Sequence, residues 1–404
     1  MTEPTFKVVP VHAEHPSSYK PQGLHPVHLG DSFADGRYTV THKLGHGKSS
    51  TIWVVHDAHD DSLKSLKIIA AWKSDTEVQV LQHLEANFDE QEEGSQHVAR
   101  MFDAFIHEGP NGKHQCIVGE ILGPDLGSYV GDYWETDCFP PDMVRRLFGQ
   151  TALGVRYLHQ RGVVHGDLHQ GNVLLRLPMD WGSLEKELDK PEKYDYGPDS
   201  HSPHRPKYLV SGIGDNYKLL RLCLQQPYIK ITDFSESIIP ALPDPPLIAS
   251  PLVLRPPEAL LGFLKHATIQ SDIWALAVLC HMLFCNGLSL FHYGDMMLHD
   301  IVLNLGKFPE PWWSSWAGHK DFDEDGRAIR GPTKSIFLKF KSSILRDAEE
   351  GKALKEMLRA MVRYDATSRI TAEQVLASEW VQTYCRPQMK AEVKFVVENI
   401  DGGD

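Results

Sequence analysis

Between residues 37 and 121, apolar and polar positions alternate in short runs. Arg37-Tyr38-Thr39-Val40-Thr41 leads into Gly45-His46-Gly47, Thr51 to Val55 reads as a second strand, and Leu63 to Ile69 as a third. Thr76 to Leu84 puts apolar residues at 78, 80, 81 and 84, which predicts a short helix. Two more strands follow at about 98–106 and 114–121, joined at Pro110-Asn111-Gly112, a turn sequence. Beyond Gly123 the pattern turns helical. Pro141 to Arg161 is amphipathic, further helices are predicted at 271–285 and 351–363, and the last starts near Thr371, where Thr371-Ala372-Glu373-Gln374 fits an N-cap. Residues 1–36 are rich in Pro and His without a period and read as an extended N-terminal arm. Residues 176–228 break the pattern with Pro, Asp, Lys and Tyr and read as an insert. There is no internal repeat. The expectation is an α+β chain of two lobes: a small β-rich one over 37–122, a larger helical one over 123–385 that holds the insert, and a tail at 386–404.

At 404 residues the chain can bury one or two cores without covalent staples. Its apolar content of 42% and charged content of 24% are those of a globular protein. The net charge of −13 disfavours general binding to nucleic acid or anionic membrane. Six cysteines without a C-x-x-C pair argue against a disulfide framework or zinc knuckle and fit a reducing compartment, cytoplasmic or nuclear. Met1-Thr2-Glu3-Pro4 opens no basic-then-apolar leader, and the first arginine is Arg37, so neither a secretory signal nor a mitochondrial presequence is expected. Ile273 to Gly294 carries no Asp, Glu, Lys or Arg, but its apolar part stops at Cys285 and includes His281. It reads as a buried core helix rather than a membrane span.

Candidate chemistry sits at five places. Leu44-Gly45-His46-Gly47-Lys48-Ser49-Ser50-Thr51-Ile52 matches a G-x-G-x-x-G-x-V loop with Ser50 for the third glycine. Glycines there let backbone N–H groups approach a phosphate. Lys67 lies among apolar strand residues, where an ammonium needs an anion. His165-Gly166-Asp167-Leu168-His169-Gln170-Gly171-Asn172 keeps H-x-D-x-x-x-x-N spacing. That spacing supplies a carboxylate to orient a hydroxyl and an amide to hold Mg²⁺, five residues apart. Ile231-Thr232-Asp233-Phe234-Ser235 closes a strand with an Asp that would bridge Mg²⁺ to phosphates. Arg255-Pro256-Pro257-Glu258, Ser271-Asp272-Ile273-Trp274 and Asp365 to Thr371 complete an ordered set. The glycine loop alone is weak, the His165 to Asn172 motif decides the matter, and five motifs in this order are specific.

The set resembles the eukaryotic protein kinase domain over about residues 37–385. Gly23 to Asp31, Gly36-Arg37-Tyr38 and Ser50-Thr51-Ile52-Trp53 are similar to the opening segment of SR-protein kinases, the serine kinases of arginine/serine-rich splicing factors. The insert lies at a similar place to that family's spacer, and Lys307 to Trp313 and Asp321 to Gly326 look like a divergent, fungal-type branch. The resemblance implies a bilobal protein-kinase fold, ATP and Mg²⁺ as cofactors, a basic Arg/Ser-rich protein substrate and a monomer. Lys67 would hold the α- and β-phosphates and pair with Glu77, with Glu85 as the alternative partner. Asp167 would orient the substrate hydroxyl, and Asn172 and Asp233 would ligate Mg²⁺. Gly45, His46 and Gly47 would cradle the phosphates. Glu120 and Leu122 would meet adenine through their backbone, and Leu44, Ile52 and Leu174 would sandwich the base. Glu258 would pair with Arg369 as a structural tie.

Several positions depart from the family pattern. Gly166 replaces an arginine that clamps a phosphorylated activation loop, which predicts constitutive activity. His169 replaces a lysine near the γ-phosphate and is a weaker cation, with a reference pKa of about 6.5, so a slow enzyme is expected. Ser235 replaces a glycine. Gly119 falls at the gatekeeper position and implies an open space behind adenine, unless Val118 occupies that register. Ser50, His169, Ser235 and the short Lys67–Glu77 spacing motivate a pseudokinase scaffold as one alternative. His165 to His169 motivates a small-molecule phosphotransferase as another. Asp321-x-Asp323-x-Asp325-Gly326 opens like a calcium loop but has Pro332 at position twelve, so no calcium site is expected.

Overall fold

The computed structural model describes residues 13–127, 139–186, 190–195, 202–213, 217–331, 337–340 and 344–390. The chain divides into two compact units: residues 1–86, 99–124 and 176–224 form unit 1, and 87–98, 125–175 and 225–404 form unit 2.

Unit 1 is built on a six-stranded antiparallel sheet: β1 (Ser32–Phe33), β2 (Tyr38–His46), β3 (Ser50–Asp57), β4 (Ser62–Ile69), β5 (Met101–Gly109) and β6 (Gly112–Gly119), in the order β1-β2-β3-β4-β6-β5. Helix α1 (Thr76–Ala86) follows β4. The β5–β6 turn closes at Gly109 and Gly112, and Gly112 adopts a φ of 129° that favours glycine. The period of two splits the sheet into two faces. Trp53, Leu66, Ile68, Cys116 and Val118 line one, with Lys67 and its register partners Ile52 and Ile117 on the other.

The apolar face explains where two segments go that the sequence pattern left as an arm and a second-lobe insert. Val27 and Phe33 of the arm and Val210 of the insert pack into that core. Residues 176–224 therefore belong with unit 1 rather than with the helical unit. An antiparallel pair within the insert, Lys193–Asp195 with Tyr208–Val210, presents Val210 to the sheet. Lys43 on β2 locks the arrangement. Fully buried, its ammonium pairs with Glu14 of the arm and donates to the Val210 carbonyl at 2.9 Å, and the Tyr19 hydroxyl donates to Glu14. A lysine in this setting is stable only because both its charge and its protons are matched.

Unit 2 is helical. Its longest helix, α2 (Pro141–Gln160), buries most of its length. Helix α3 (Ile269–Phe284) is the apolar stretch of the sequence. It is capped by Thr268, whose side chain accepts from Ser271 N–H, and Ile273 to His281 are all buried. Among the described residues no helix is long and apolar enough to cross a membrane. Helices α4 (Ala348–Met361) and α5 (Ala372–Ala377) follow. The expected cap at Thr371 forms: its side chain accepts from Gln374 N–H, and Gln374 accepts from Thr371 N–H at 2.9 Å. Arg145 of α2 meets Glu350 of α4 through two hydrogen bonds of 2.6 and 2.7 Å, both side chains buried. The acidic segment at 321–326 forms a turn in which Asp323 Oδ1 accepts from the Asp325 and Arg327 N–H groups. Its carboxylates serve the loop itself. No group of three or more metal-ligating side chains occurs among the described residues.

Candidate active site

In unit 1, strand alternation brings Lys67 and helix α1 together. Lys67 Nζ donates to Glu77 Oε1 and Oε2 at 2.7 and 2.8 Å. Glu77 is buried and Lys67 partly so, which strengthens the pair relative to a surface ion pair. The alternative partner Glu85, eight residues along the same helix, is engaged elsewhere. It takes Arg100 Nε at 2.7 Å and Nη2 at 2.5 Å, and Met101 N–H at 3.1 Å.

The glycine loop is the β2–β3 hairpin, closed by Gly47 N–H to the Ser50 carbonyl at 2.9 Å. Gly45 has open space where a Cβ would sit, and at Gly47 such an atom meets only Ser50 Oγ at 3.6 Å, while Gly212 lies against the Gly45 backbone and Ile213 N–H donates to the Leu44 carbonyl at 3.2 Å. His46 pairs with Thr51 across the hairpin, Leu44 sits in a bulge of β2, and Ile52 lies opposite Lys67.

At the far end of β6, Gly119 pairs with Ser65 while Lys67 pairs with Ile117, so Gly119 shares the Lys67 face and Val118 faces the apolar core. Gly119, not Val118, therefore lies on the Lys67 face of the sheet. The expected open space is not empty at its start: a Cβ on Gly119 would lie 2.8 Å from the Arg100 carbonyl oxygen. Glu120 follows. Its carbonyl accepts from Ser65 Oγ at 2.9 Å and its carboxylate accepts from Arg100 N–H at 2.9 Å. Leu122 begins the strand Leu122–Asp125.

In unit 2, Asp167, Asn172 and Asp233 are held by a web of backbone bonds. Asn172 Nδ2 donates to the Asp167 carbonyl at 2.9 Å, and the Asn172 carbonyl accepts from Thr232 N–H at 2.9 Å, tying the catalytic loop to the segment before Asp233. His165 bridges the same two segments. Its Nε2 donates to the Thr232 carbonyl at 3.0 Å and its Nδ1 accepts from Asp167 N–H at 3.2 Å, which fixes the tautomer. Asp272 of α3 accepts from the N–H groups of His165 and Gly166 at 2.8 and 3.0 Å and from His159 Nε2 at 3.0 Å. Asp233 adopts a φ of 60°, a left-handed conformation that aspartate tolerates, and Phe234 is buried against the His165 ring. Asp167 Oδ1 is buried without a hydrogen-bond partner among the described residues. A buried carboxylate oxygen left unpaired is costly unless a ligand completes it. Leu174 lies on the strand Val173–Arg176, opposite Lys230.

Two departures from the family pattern acquire physical reasons. A Cβ on Gly166 would lie 2.3 Å from the Glu236 carbonyl oxygen, and Gly166 has a φ of 79°. The segment after Asp233 thus rests directly on the catalytic loop, where no side chain fits. Val164 and Ile238 exchange two 2.9 Å backbone bonds beside it, and Ser237 Oγ donates to the His165 carbonyl at 2.7 Å. His169 Nδ1 accepts from Gly171 N–H at 3.0 Å, leaving Nε2 on the Asp167 side, 3.5 Å from Oδ2. The ring fills the space a side chain at Gly171 would need, 2.9 Å from its Cβ position. Away from the site, Arg369 joins Glu258 through two bonds of 2.7 and 2.8 Å, as the sequence motif implies.

The sequence reading did not single out Arg100 or His165. His165 lay inside a quoted motif, whereas Arg100 immediately precedes β5 with no pattern to mark it.

Comparison with known proteins agrees with this geometry. The protein kinase domain family matches residues 38–189. Across 88% of this chain and 98% of its own, a crystal structure described as a kinase domain superposes with a TM-score of 0.60 at 15% identity, a likeness of fold. Protein kinase dsk1 of Schizosaccharomyces pombe is 34% identical over 178 residues, covering 43% of this chain and 32% of dsk1. The serine/threonine-protein kinase SRPK of Physarum polycephalum is 27% identical over 394 residues, 89% of this chain and 88% of its own. The chain therefore spans about a third of dsk1 and most of the Physarum kinase. The fold is that of a protein kinase domain, and residues 38–189 match that family's model. Over its length the chain is similar to serine/threonine kinases, among them ones named as SR-protein kinases.

Proposed function

We propose that the protein transfers the γ-phosphate of ATP to serine hydroxyls in basic, Arg/Ser-rich protein substrates. The observation that carries the reading is the 165–172 loop of unit 2, where Asp167 keeps a buried carboxylate oxygen without a hydrogen-bond partner among the described residues and Asn172 is turned so that its Nδ2 braces the loop. Asp167 accepts the proton of the incoming hydroxyl or orients it. Asn172 Oδ1 and the Asp233 carboxylate are hard oxygen donors of the kind Mg²⁺ prefers. Mg²⁺, when bound, neutralises charge on the β- and γ-phosphates. In unit 1, Lys67 held by Glu77 meets the α- and β-phosphates, and the backbone of Gly45, His46 and Gly47 cradles them. The Glu120 carbonyl and Leu122 N–H meet adenine, with Leu44, Ile52 and Leu174 supplying apolar contact. Most of the rate then comes from positioning and electrostatics rather than from covalent chemistry by the protein. The acidic balance of −13 suits a basic substrate.

An acceptor panel tests this reading: an Arg-Ser repeat peptide, an acidic serine peptide, an aminoglycoside and choline, each with Mg-ATP. Preferential phosphorylation of the Arg-Ser peptide is expected. Transfer to the aminoglycoside or choline alone would overturn the protein-substrate assignment, and ATP binding without transfer to any acceptor would indicate a pseudokinase.

A further inference from the structure

We infer that Arg100 is a positioning residue that couples the adenine-contacting segment to the Lys67–Glu77 pair through helix α1. The inference rests on the nucleotide-site reading above and lies wholly within unit 1.

Helix α1 is fastened at both ends by carboxylates. Near its start, Glu77 holds Lys67. Near its end, Glu85 takes the Arg100 guanidinium at two nitrogens and the Met101 N–H as well. Eight residues of helix separate the two anchors, about 12 Å along the axis. The second anchor continues. The Arg100 N–H donates to the Glu120 carboxylate at 2.9 Å, and the Arg100 carbonyl sits against Gly119, 2.8 Å from where a Cβ would be. Gly119 is therefore glycine because the backbone of residue 100 comes this close. Ser65 Oγ, two positions from Lys67 on the same strand, holds the Glu120 carbonyl at 2.9 Å. Glu120 is thus fixed at its carboxylate by Arg100 and at its carbonyl by Ser65.

The side-chain arrangement at Arg100 is directional. A guanidinium binds a carboxylate bidentately and holds it in one plane, which a point charge cannot do. Both side chains are more than two-thirds buried, so the pair is less screened than a surface contact. Losing the guanidinium leaves Glu85 with the Met101 N–H and frees the end of α1. Tilt of the helix then reaches Glu77 at its other end, and the same loss loosens the backbone that fixes Glu120. Glu77 and Arg100 sit at opposite ends of the helix, so a non-additive effect of changing both reports coupling through it.

A double-mutant cycle tests this: wild type, Glu77→Gln, Arg100→Ala and the double variant, read in ATP dissociation constant and in kcat/KM. Glu77→Gln is expected to lower kcat/KM by about 100-fold in the wild type but only about 10-fold with Arg100→Ala, because the helix end is already free. Arg100→Lys, which keeps charge but not the fork, should fall between. Thermal unfolding of each variant separates this from general destabilisation, and Glu85→Gln replaces Arg100→Ala if that variant does not fold. Costs additive to within threefold would overturn the inference while leaving the kinase reading intact. Failure of the wild type to bind ATP at all would overturn both.

Discussion

Gly166→Ala puts a methyl group where the Glu236 carbonyl oxygen lies 2.3 Å away. Side-chain carbons essentially never approach closer than 3.0 Å, so the activation segment or the catalytic loop must move by most of an ångström. The φ of 79° adds a left-handed penalty of about 1–2 kcal/mol for alanine. Displacement also strains the two Val164–Ile238 bonds and the Ser237–His165 bond, each worth about 1 kcal/mol net. Partial loss of these on top of the backbone term gives about 2–4 kcal/mol. Urea unfolding should show that loss, or proteolysis between Ser235 and Arg255 should accelerate if the segment detaches locally. Phosphate transfer should fall at least tenfold because Asp167 adjoins the displaced residue. Wild-type rate together with a stability change below about 0.5 kcal/mol would refute the packing argument. The same contact bears on regulation. A segment held by backbone packing needs no phosphate clamp, so phosphatase treatment should leave the wild-type rate unchanged.

Other consequences can be measured separately. His169→Lys is expected to raise kcat severalfold by supplying a full positive charge near the γ-phosphate, and an unchanged or lower rate would remove that role from position 169. Burial, then the neighbouring His107 and His114, lowers the His25 pKa to about 3, against an opposing pull from Asp31, and burial also lowers His107 and His114. The folded state keeps these rings neutral while the unfolded chain takes up protons below about pH 6.5. Stability is therefore fully present above that pH and lost as pH falls towards the folded values, by about 1.4 kcal/mol per pH unit for His25 alone. Urea midpoints from pH 7 to 4.5 should decline, and His25→Phe should flatten the slope; an identical slope would exclude the cluster as its source. Arg369→Ala leaves the buried Glu258 carboxylate uncompensated and should cost about 3–5 kcal/mol, largely recovered when Glu258→Gln is added.

How far the sequence could be read depended on the range of the interaction. The strands around Gly45 and Lys67 and helix α1 follow from local periodicity, and the Lys67–Glu77 pair follows from a motif with a required partner on the next helix. The Thr371 cap is legible because both of its partners lie within four residues. The packing of the insert was not legible, because nothing within 176–228 says that Val210 completes a core formed by Val27, Trp53 and Leu66. The buried Lys43–Glu14 pair was equally hidden: a lysine on a strand and a glutamate in a Pro/His-rich arm look solvated until a third segment covers them. Gly166 was recognised as a missing arginine, but the carbonyl that excludes any side chain there belongs to Glu236, 70 positions along the chain. Arg100 stood next to a strand start with no spacing to connect it to Glu85 or Glu120.

Transfer of radiolabelled γ-phosphate from Mg-ATP to an Arg-Ser repeat peptide, by the wild type, Asp167→Asn and Asp233→Asn side by side with ATP binding, tests the central claim most directly. The account predicts phosphoserine with the wild type, loss of transfer by at least 100-fold in both variants, and retained ATP binding in Asp167→Asn. Undiminished transfer in either variant, or ATP binding without any transfer by the wild type, would contradict it.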